Sequence, residues 1–218
     1  VLEHKADVGI AFDGDGDRVI MCDHKGDVIN GDQILYLIAI DSASRGKLNN
    51  NGVVGTLMSN LALEQALDRK KIKFARAKVG DRYVMEMLQE KKWDLGGESS
   101  GHIIWLGSTT TGDGIVAALQ VLALMQNTKK TLPELLKDLI LFPQVMINVV
   151  LKKDLSKSNW EKVHEEVAKV EGKLKDKGRV LVRASGTEPL IRVMVEGENA
   201  TEVKKHANQL AKFIETLI

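Results

Sequence analysis

Six consecutive residues near the start of the chain, Asp13-Gly14-Asp15-Gly16-Asp17-Arg18, carry its densest potential for chemistry. An apolar stretch precedes them (Val8 to Phe12) and another follows (Val19 to Cys22), so they link two predicted strands. Three carboxylates at alternating positions repel one another unless a cation neutralises them. Their hard oxygens suit Mg²⁺ or Ca²⁺ rather than zinc or copper, and the intervening glycines let the backbone fold tightly around an ion. An acidic turn between strands is the plainer alternative, yet a solvated turn needs neither this many aspartates nor an arginine beside them. An EF-hand loop beginning at Asp13 requires Gly at its sixth position and Glu at its twelfth; Arg18 and His24 stand there. A phosphatase with an aspartyl nucleophile also sets acidic residues after a strand and stays open on these letters.

A second constellation is Arg183-Ala184-Ser185-Gly186-Thr187-Glu188-Pro189, again between two predicted strands. Two hydroxyls, a glycine that frees backbone N–H groups and a leading arginine make a donor set suited to phosphate, and Arg192 could add a second cation. A plain hairpin turn would use the same Ser-Gly pair. The third is Gly96-Gly97-Glu98-Ser99-Ser100-Gly101-His102. Its G-x-S-x-G spelling matches a nucleophile elbow, which requires a helix directly after the serine; His102 to Leu106 reads instead as a strand. Glu98 and Ser100 could accept from and donate to sugar hydroxyls, while His102 alone is equally compatible with a structural histidine. Thr109 to Gly114 and Gly80-Asp81-Arg82 read as helix entries, with Thr111 or Asp113 as the cap of the former.

The elements that must hold these clusters follow from periodicity. Strands at Val53–Leu57 and Ile72–Val79 alternate with helices from Asp32, over Ser59–Arg69 (capped by Ser59) and over Asp81–Lys91. That rhythm predicts an α/β domain whose parallel sheet is covered on both faces. His24 to Asn30 reads as a turn-rich boundary and Trp93 to Leu106 as a glycine-dense interruption. A buried helix follows from Asp113 to Gln126, and Thr131-Leu132-Pro133-Glu134 has capping-box spacing. After Phe142-Pro143 come a strand (Val145–Leu151), a helix capped at Ser158-x-x-Glu161, two strands (Arg179–Arg183 and Leu190–Val195) and a last helix capped at Asn199-x-x-Glu202. The order β-α-β-β-α predicts a smaller α+β domain, an open sheet with both helices on one face.

Composition narrows the partners. The 218 residues carry a net charge of +1, with 44% hydrophobic, 28% charged and 4% aromatic residues. That is an ordinary globular balance, with no electrostatic pull toward nucleic acid or a membrane surface and too few aromatics for a base-stacking platform. The longest uncharged run, Gly114 to Thr128, holds Gln120, Gln126 and Asn127 and is too short to span a bilayer. Cys22 is the single cysteine, so no internal disulfide can form, which fits a reducing, cytoplasmic setting. Opening at Val1, without an initiator methionine or a signal peptide, the sequence reads as a fragment.

The ordered set D-G-D-G-D-R, G-E-S-S-G-H and R-A-S-G-T-E-P, at these separations, resembles the α-D-phosphohexomutase superfamily over essentially the whole chain. Within it, Gly55–Leu61, Val79–Val84 and Thr109–Leu122 are similar to the branch that acts on hexosamine phosphates. The resemblance implies a mixed-sheet α/β domain followed by a smaller α+β C-terminal domain. Residues 1–30 would be the end of domain 2 with the metal loop, residues 31–140 the sugar-recognition domain 3, and residues 141–218 the phosphate-binding domain 4. It implies Mg²⁺ on Asp13, Asp15 and Asp17, with Arg18 reaching toward the transferring phosphoryl group. Glu98 and Ser100 would hold sugar hydroxyls with His102 close by, and Arg183, Ser185, Gly186 and Thr187 would clamp the phosphate that is not reacting. The reaction implied moves a phosphoryl group between two positions of a hexosamine phosphate through a phosphoserine and a bisphosphate. Glucose or mannose phosphates are the alternative substrates, and a non-catalytic sugar-phosphate-binding module the alternative role. The family's serine loop of the T-A-S-H-N-P type is absent: Pro133, Pro143 and Pro189 follow Leu, Phe and Glu. The nucleophile and one metal ligand are therefore expected from missing N-terminal domains of the same polypeptide, and the chain alone is expected to be inactive.

Overall fold

The computed structural model describes residues 1–151, 155–185 and 188–218. They form two compact units, Val1–Ile140 and Leu141–Ile218.

The first unit begins with an antiparallel meander of β1 (Val8–Phe12), β2 (Val19–Asp23) and β3 (Val28–Ile29), in that spatial order. Phe12 is paired with Val19, so the acidic hexapeptide is the whole of the β1–β2 link. The stretch expected to be only turn contains β3. There Asp23 Oδ1 accepts from the backbone N–H groups of Lys25 and Asp27, which folds the chain back within a few residues. A two-residue strand is too short for periodicity to register.

Helix α1 (Gly31–Ser44) starts at a capping box in which Asn30 and Gln33 each accept from the other's backbone N–H. Its residues Ile34 to Ala39 are all buried, as an apolar surface nearly all round the helix demands. Beside it stands a four-stranded sheet of order β5-β4-β6-β7, built from β4 (Gly52–Thr56), β5 (Lys73–Ala77), β6 (Leu95–Gly97) and β7 (Ile103–Trp105). β4 runs parallel to β5 and β6, with α2 (Leu61–Arg69) and α3 (Asp81–Lys91) as crossovers, whereas β7 is antiparallel to β6. The sheet is thus mixed. Val53 and Val54 point to opposite faces and both are fully buried, so both faces are covered. The interruption at Trp93–Leu106 resolves into the short strands β6 and β7. Helix α4 (Gly114–Thr128), capped by Asp113 through the Val116 N–H, and α5 (Leu132–Leu135) complete the unit.

Two predicted caps shift. The cap of α2 is Asn60, whose Oδ1 accepts from the Ala62 N–H, because the Ser59 hydroxyl is taken by the Thr56 N–H. Helix α6 (Lys157–Leu174) is capped by Ser156 rather than Ser158.

In the second unit β8 (Gln144–Val150), β9 (Gly178–Ala184) and β10 (Leu190–Gly197) form an antiparallel sheet of order β8-β10-β9. Helices α6 and α7 (Ala200–Glu215) pack on it. Val203, Ala207, Leu210 and Ile214 of α7 recur at helical spacing and are buried against Ile191, Val193 and Val195. Each of the larger side chains contributes about 1.5–3 kcal/mol by leaving water. The observed architecture, a mixed-sheet α/β unit followed by a smaller α+β unit, is the expected fold class.

Candidate functional site

The first unit brings two of the sequence clusters together. Within the acidic loop, Asp13 Oδ1 accepts from the backbone N–H groups of Gly16 (3.0 Å) and Arg18 (3.3 Å), and Gly16 takes the left-handed conformation, φ +72°, that closes the turn. The guanidinium of Arg18 lies 3.8 Å from Asp13 Oδ2. Desolvation acts to raise the Asp13 carboxyl, but the Arg18 N–H, the neighbouring Asp17 carboxyl, the Gly16 N–H and the Arg18 guanidinium together hold it below the usual carboxylate range.

Asp17 also reaches the third cluster. Its Oδ2 is 3.0 Å from His102 Nδ1, across 85 residues of sequence. Backbone contacts fix that approach: Arg18 and His102 form a β-bridge, and the Val19 N–H donates to the Gly101 carbonyl at 3.1 Å. Gly101 is required there, since its φ is +94° and a Cβ would stand 2.1 Å from the Val19 oxygen. Gly112 lies against the edge of the His102 ring, where a Cβ would fall 2.1 Å from Nε2. The imidazole is therefore held between Asp17 and the Thr109–Gly114 loop, and it is buried.

Glu98 is half-buried and its Oε1 accepts from the Gly80 N–H at 2.9 Å, tying the Gly80-Asp81-Arg82 turn to the same loop. The sequence reads that turn as a helix entry within the resembling segment Val79–Val84, and its Gly80 has φ +125°. Ser100 is exposed, and Arg82 is exposed and paired with Glu86. No helix follows Ser99; β7 does, which excludes the nucleophile-elbow geometry.

The donor set fits a hard divalent cation in part. Asp17 Oδ1 is buried and has no hydrogen-bond partner among the described residues, an acceptor placed beside a second carboxylate. Asp15 is exposed, and among the described residues no three His, Cys, Asp or Glu side chains are gathered into a ready metal-binding group.

The second unit holds the other cluster. Arg183 on β9 is directly opposite Arg192 on β10, whose other neighbour is Asn148 on β8. Like charges in facing positions destabilise a sheet unless an anion lies between or beside them. Glu188 partly meets the need, accepting from Arg192 Nη2 at 3.0 Å, while Arg192 Nε is buried without a partner among the described residues. The hairpin is closed by the Ser185 N–H donating to the Leu190 carbonyl (2.8 Å) and the Glu188 N–H to Ser185 Oγ (3.3 Å). Gly186 and Thr187, also expected in the clamp, lie outside the described residues.

Residues 30–141 match the phosphoglucomutase/phosphomannomutase alpha/beta/alpha domain III, and residues 146–213 match the C-terminal domain of the same family. The chain belongs to the phosphoglucomutase/phosphomannomutase family. It is similar to the phosphoglucosamine mutase of Aeromonas salmonicida (56% identical over 216 residues, 99% of this chain and 48% of that protein). It is also similar to that of Escherichia coli O7:K1 (54% over 218 residues, 100% of this chain and 49% of that protein). The chain thus spans about half the length of the curated relatives it matches. Among solved structures, Aspergillus fumigatus N-acetylphosphoglucosamine mutase in complex with GlcNAc-6P and magnesium superposes with a TM-score of 0.77 at 20% identity, over 94% of this chain and 51% of that one. A phosphoglucomutase/phosphomannomutase family protein from Burkholderia thailandensis gives a TM-score of 0.75 at 21% identity, over 97% and 47%. At that identity these two share the fold.

Proposed function

We propose that this chain is the sugar-phosphate-reading half of a phosphoglucosamine mutase, which interconverts glucosamine 6-phosphate and glucosamine 1-phosphate through a phosphoserine and a bisphosphate. The observation that carries the reading is the junction of Asp17 with His102. It joins the acidic loop to the loop of Glu98 and Ser100, so that a phosphoryl-handling and a hydroxyl-handling element share one wall. Identity of 56% to phosphoglucosamine mutases supports the choice of sugar.

In this reading Asp13, Asp15 and Asp17 hold Mg²⁺, whose contribution when bound is to neutralise charge on the phosphoryl oxygens. Arg18 lies at the exposed end of the same loop, where its guanidinium can meet a phosphoryl group. Glu98 is pre-oriented by the Gly80 N–H, leaving its second oxygen to accept from a sugar hydroxyl, and exposed Ser100 can donate or accept beside it. His102, held by Asp17, keeps one ring nitrogen committed to the loop. Arg183, Ser185, Gly186, Thr187 and Arg192 grip the phosphate that does not react, which relieves the facing arginines. The serine nucleophile comes from the N-terminal domains that the full-length relatives have, so this chain alone does not turn over. Among the described residues no helix is long and apolar enough to cross a membrane; a cytoplasmic location completes the reading.

The test is a mutase assay on this chain and on the full-length polypeptide, with glucosamine, glucose and mannose 6-phosphates. Turnover of glucosamine 6-phosphate by the full-length protein, and none by this chain, is expected. Preference for glucose or mannose phosphate would reassign the substrate. Sugar-phosphate binding without turnover in the full-length protein would reduce it to a binding module.

A further inference from the structure

Two loops leave the same edge of the four-stranded sheet side by side. β4 and β6 are parallel neighbours, paired Val53 to Leu95 and Val54 to Gly96. Residues 57–60 and residues 98–101 therefore follow them at the carboxyl ends, where sheets of this kind seat ligands. The first loop is firmly held. Arg76 Nη1 donates to the carbonyls of Thr56 (3.1 Å) and Ser59 (2.6 Å), the Leu57 N–H to the Ala77 carbonyl (2.9 Å) and the Thr56 N–H to Ser59 Oγ (3.0 Å). The second loop carries Glu98 and Ser100 and rests on the first turn of α1. There the Gly31 N–H donates to the Ser99 carbonyl at 3.0 Å, and a Cβ on Gly31 would stand 2.0 Å from the Glu98 carbonyl oxygen and 2.5 Å from the Gly101 nitrogen. Glycine is needed at this position for space, because backbone meets backbone. Asp32, the next residue, is 1% exposed, and its Oδ2 accepts from the Asn60 N–H at 2.8 Å. Asn60 caps α2, so one buried carboxylate lies at the positive ends of two helices and ties them together.

We propose that Gly31 and Asp32 are positioning residues for sugar recognition. Asp32 fixes the start of α1 against the firmly held loop after β4, and Gly31 sets how closely the backbone of residues 98–101 settles onto that helix. Both act through the loop rather than on the sugar. Glu98 is then held by its backbone at Gly31 and by its carboxylate at the Gly80 N–H, and a misplacement of about 1 Å in such a group is enough to weaken its work on a substrate. The inference rests on the proposed role of Glu98 and Ser100 in reading the sugar.

Kinetics of the full-length polypeptide and hydrogen exchange of this chain test it together. Gly31→Ala, which pushes the loop off the helix, and Asp32→Ala, which introduces no clash, should each raise KM for glucosamine 6-phosphate about tenfold while kcat stays within about threefold. Either variant carries the test alone where the other does not fold. Asp32→Asn keeps an oxygen for the Asn60 N–H and should recover most of the loss. A change that only lowered the folded fraction would reduce kcat and leave KM alone. In this chain the Gly80 and Gly101 amides, both bonded to Glu98, should exchange about tenfold faster in the two alanine variants, beyond any change in β4. Unchanged KM in the alanine variants, or a kcat loss at constant KM, would overturn the proposal. So would Gly80 and Gly101 amides that speed up no more than those of β4. The exchange readout needs no turnover, so a failed mutase assay and a failed positioning role are distinguishable.

Discussion

His102 Nδ1 stands 3.0 Å from Asp17 Oδ2, and the other Asp17 oxygen is buried with no partner among the described residues. One carboxylate is thereby shared between a loop-to-loop contact and an open acceptor. Residues that orient a metal-binding carboxylate typically change metal affinity about 10–100-fold when removed. His102→Ala is accordingly expected to weaken Mg²⁺ binding to the full-length protein by that range, read by calorimetry. His102→Gln, which can still donate to Asp17, should recover part of it. Unchanged Mg²⁺ affinity in His102→Ala would separate the histidine from the metal loop.

Two glycines should respond in opposite directions to alanine. At Gly112 a Cβ would meet His102 Nε2 at 2.1 Å, so Gly112→Ala must displace the imidazole and should cost about 1–3 kcal/mol in chemical denaturation. At Gly172, inside α6, a Cβ meets nothing within 4 Å. Gly172→Ala should stabilise the second unit by about 0.5–1 kcal/mol through helix propensity alone.

The facing pair Arg183 and Arg192 predicts a binding loss without a folding loss. Arg183→Ala should weaken sugar-phosphate binding to the full-length protein by about 1.5–3 kcal/mol, the usual worth of a charged hydrogen bond. It also removes a cross-strand repulsion, so the unfolding midpoint of this chain should not fall. Calorimetry showing unchanged affinity would reject the clamp.

Asp94 gives the pH prediction. Burial raises its carboxyl above the ordinary value of 3.8, against the lowering effect of the Asn49 N–H that it accepts. For a carboxyl raised on folding, the associated stability is present below the unfolded value and is lost as pH rises through the folded one. Wild type should therefore lose stability relative to Asp94→Asn as pH is raised from below 3.8. Denaturation curves of both proteins across acidic pH that stay parallel would contradict this.

Short-range features were legible: the caps at Asp113, Thr131 and Asn199 each depend on neighbours within a few residues. Caps failed where several competent residues stood together. Ser59 and Asn60 can both cap α2, and the choice fell to Asn60 only because the Thr56 N–H engages the Ser59 hydroxyl. The strands β3 and β6 carry no legible signal because two or three residues complete no period, whereas β7 falls within the strand read at His102 to Leu106.

Residue order alone determined which side chains this chain offers: alternating aspartates in one loop, an arginine with two hydroxyls in another, and alternating strands and helices to hold them. Only tertiary structure decided that Asp17 meets His102 rather than solvent, that Gly80 orients Glu98, and that Arg183 faces Arg192. Those pairings are set by strand register and by backbone approach at Gly101 and Gly112. The physical reason is range. Propensity and capping act within one turn, whereas packing chooses among partners dozens of residues apart, and it leaves no periodic trace in the sequence.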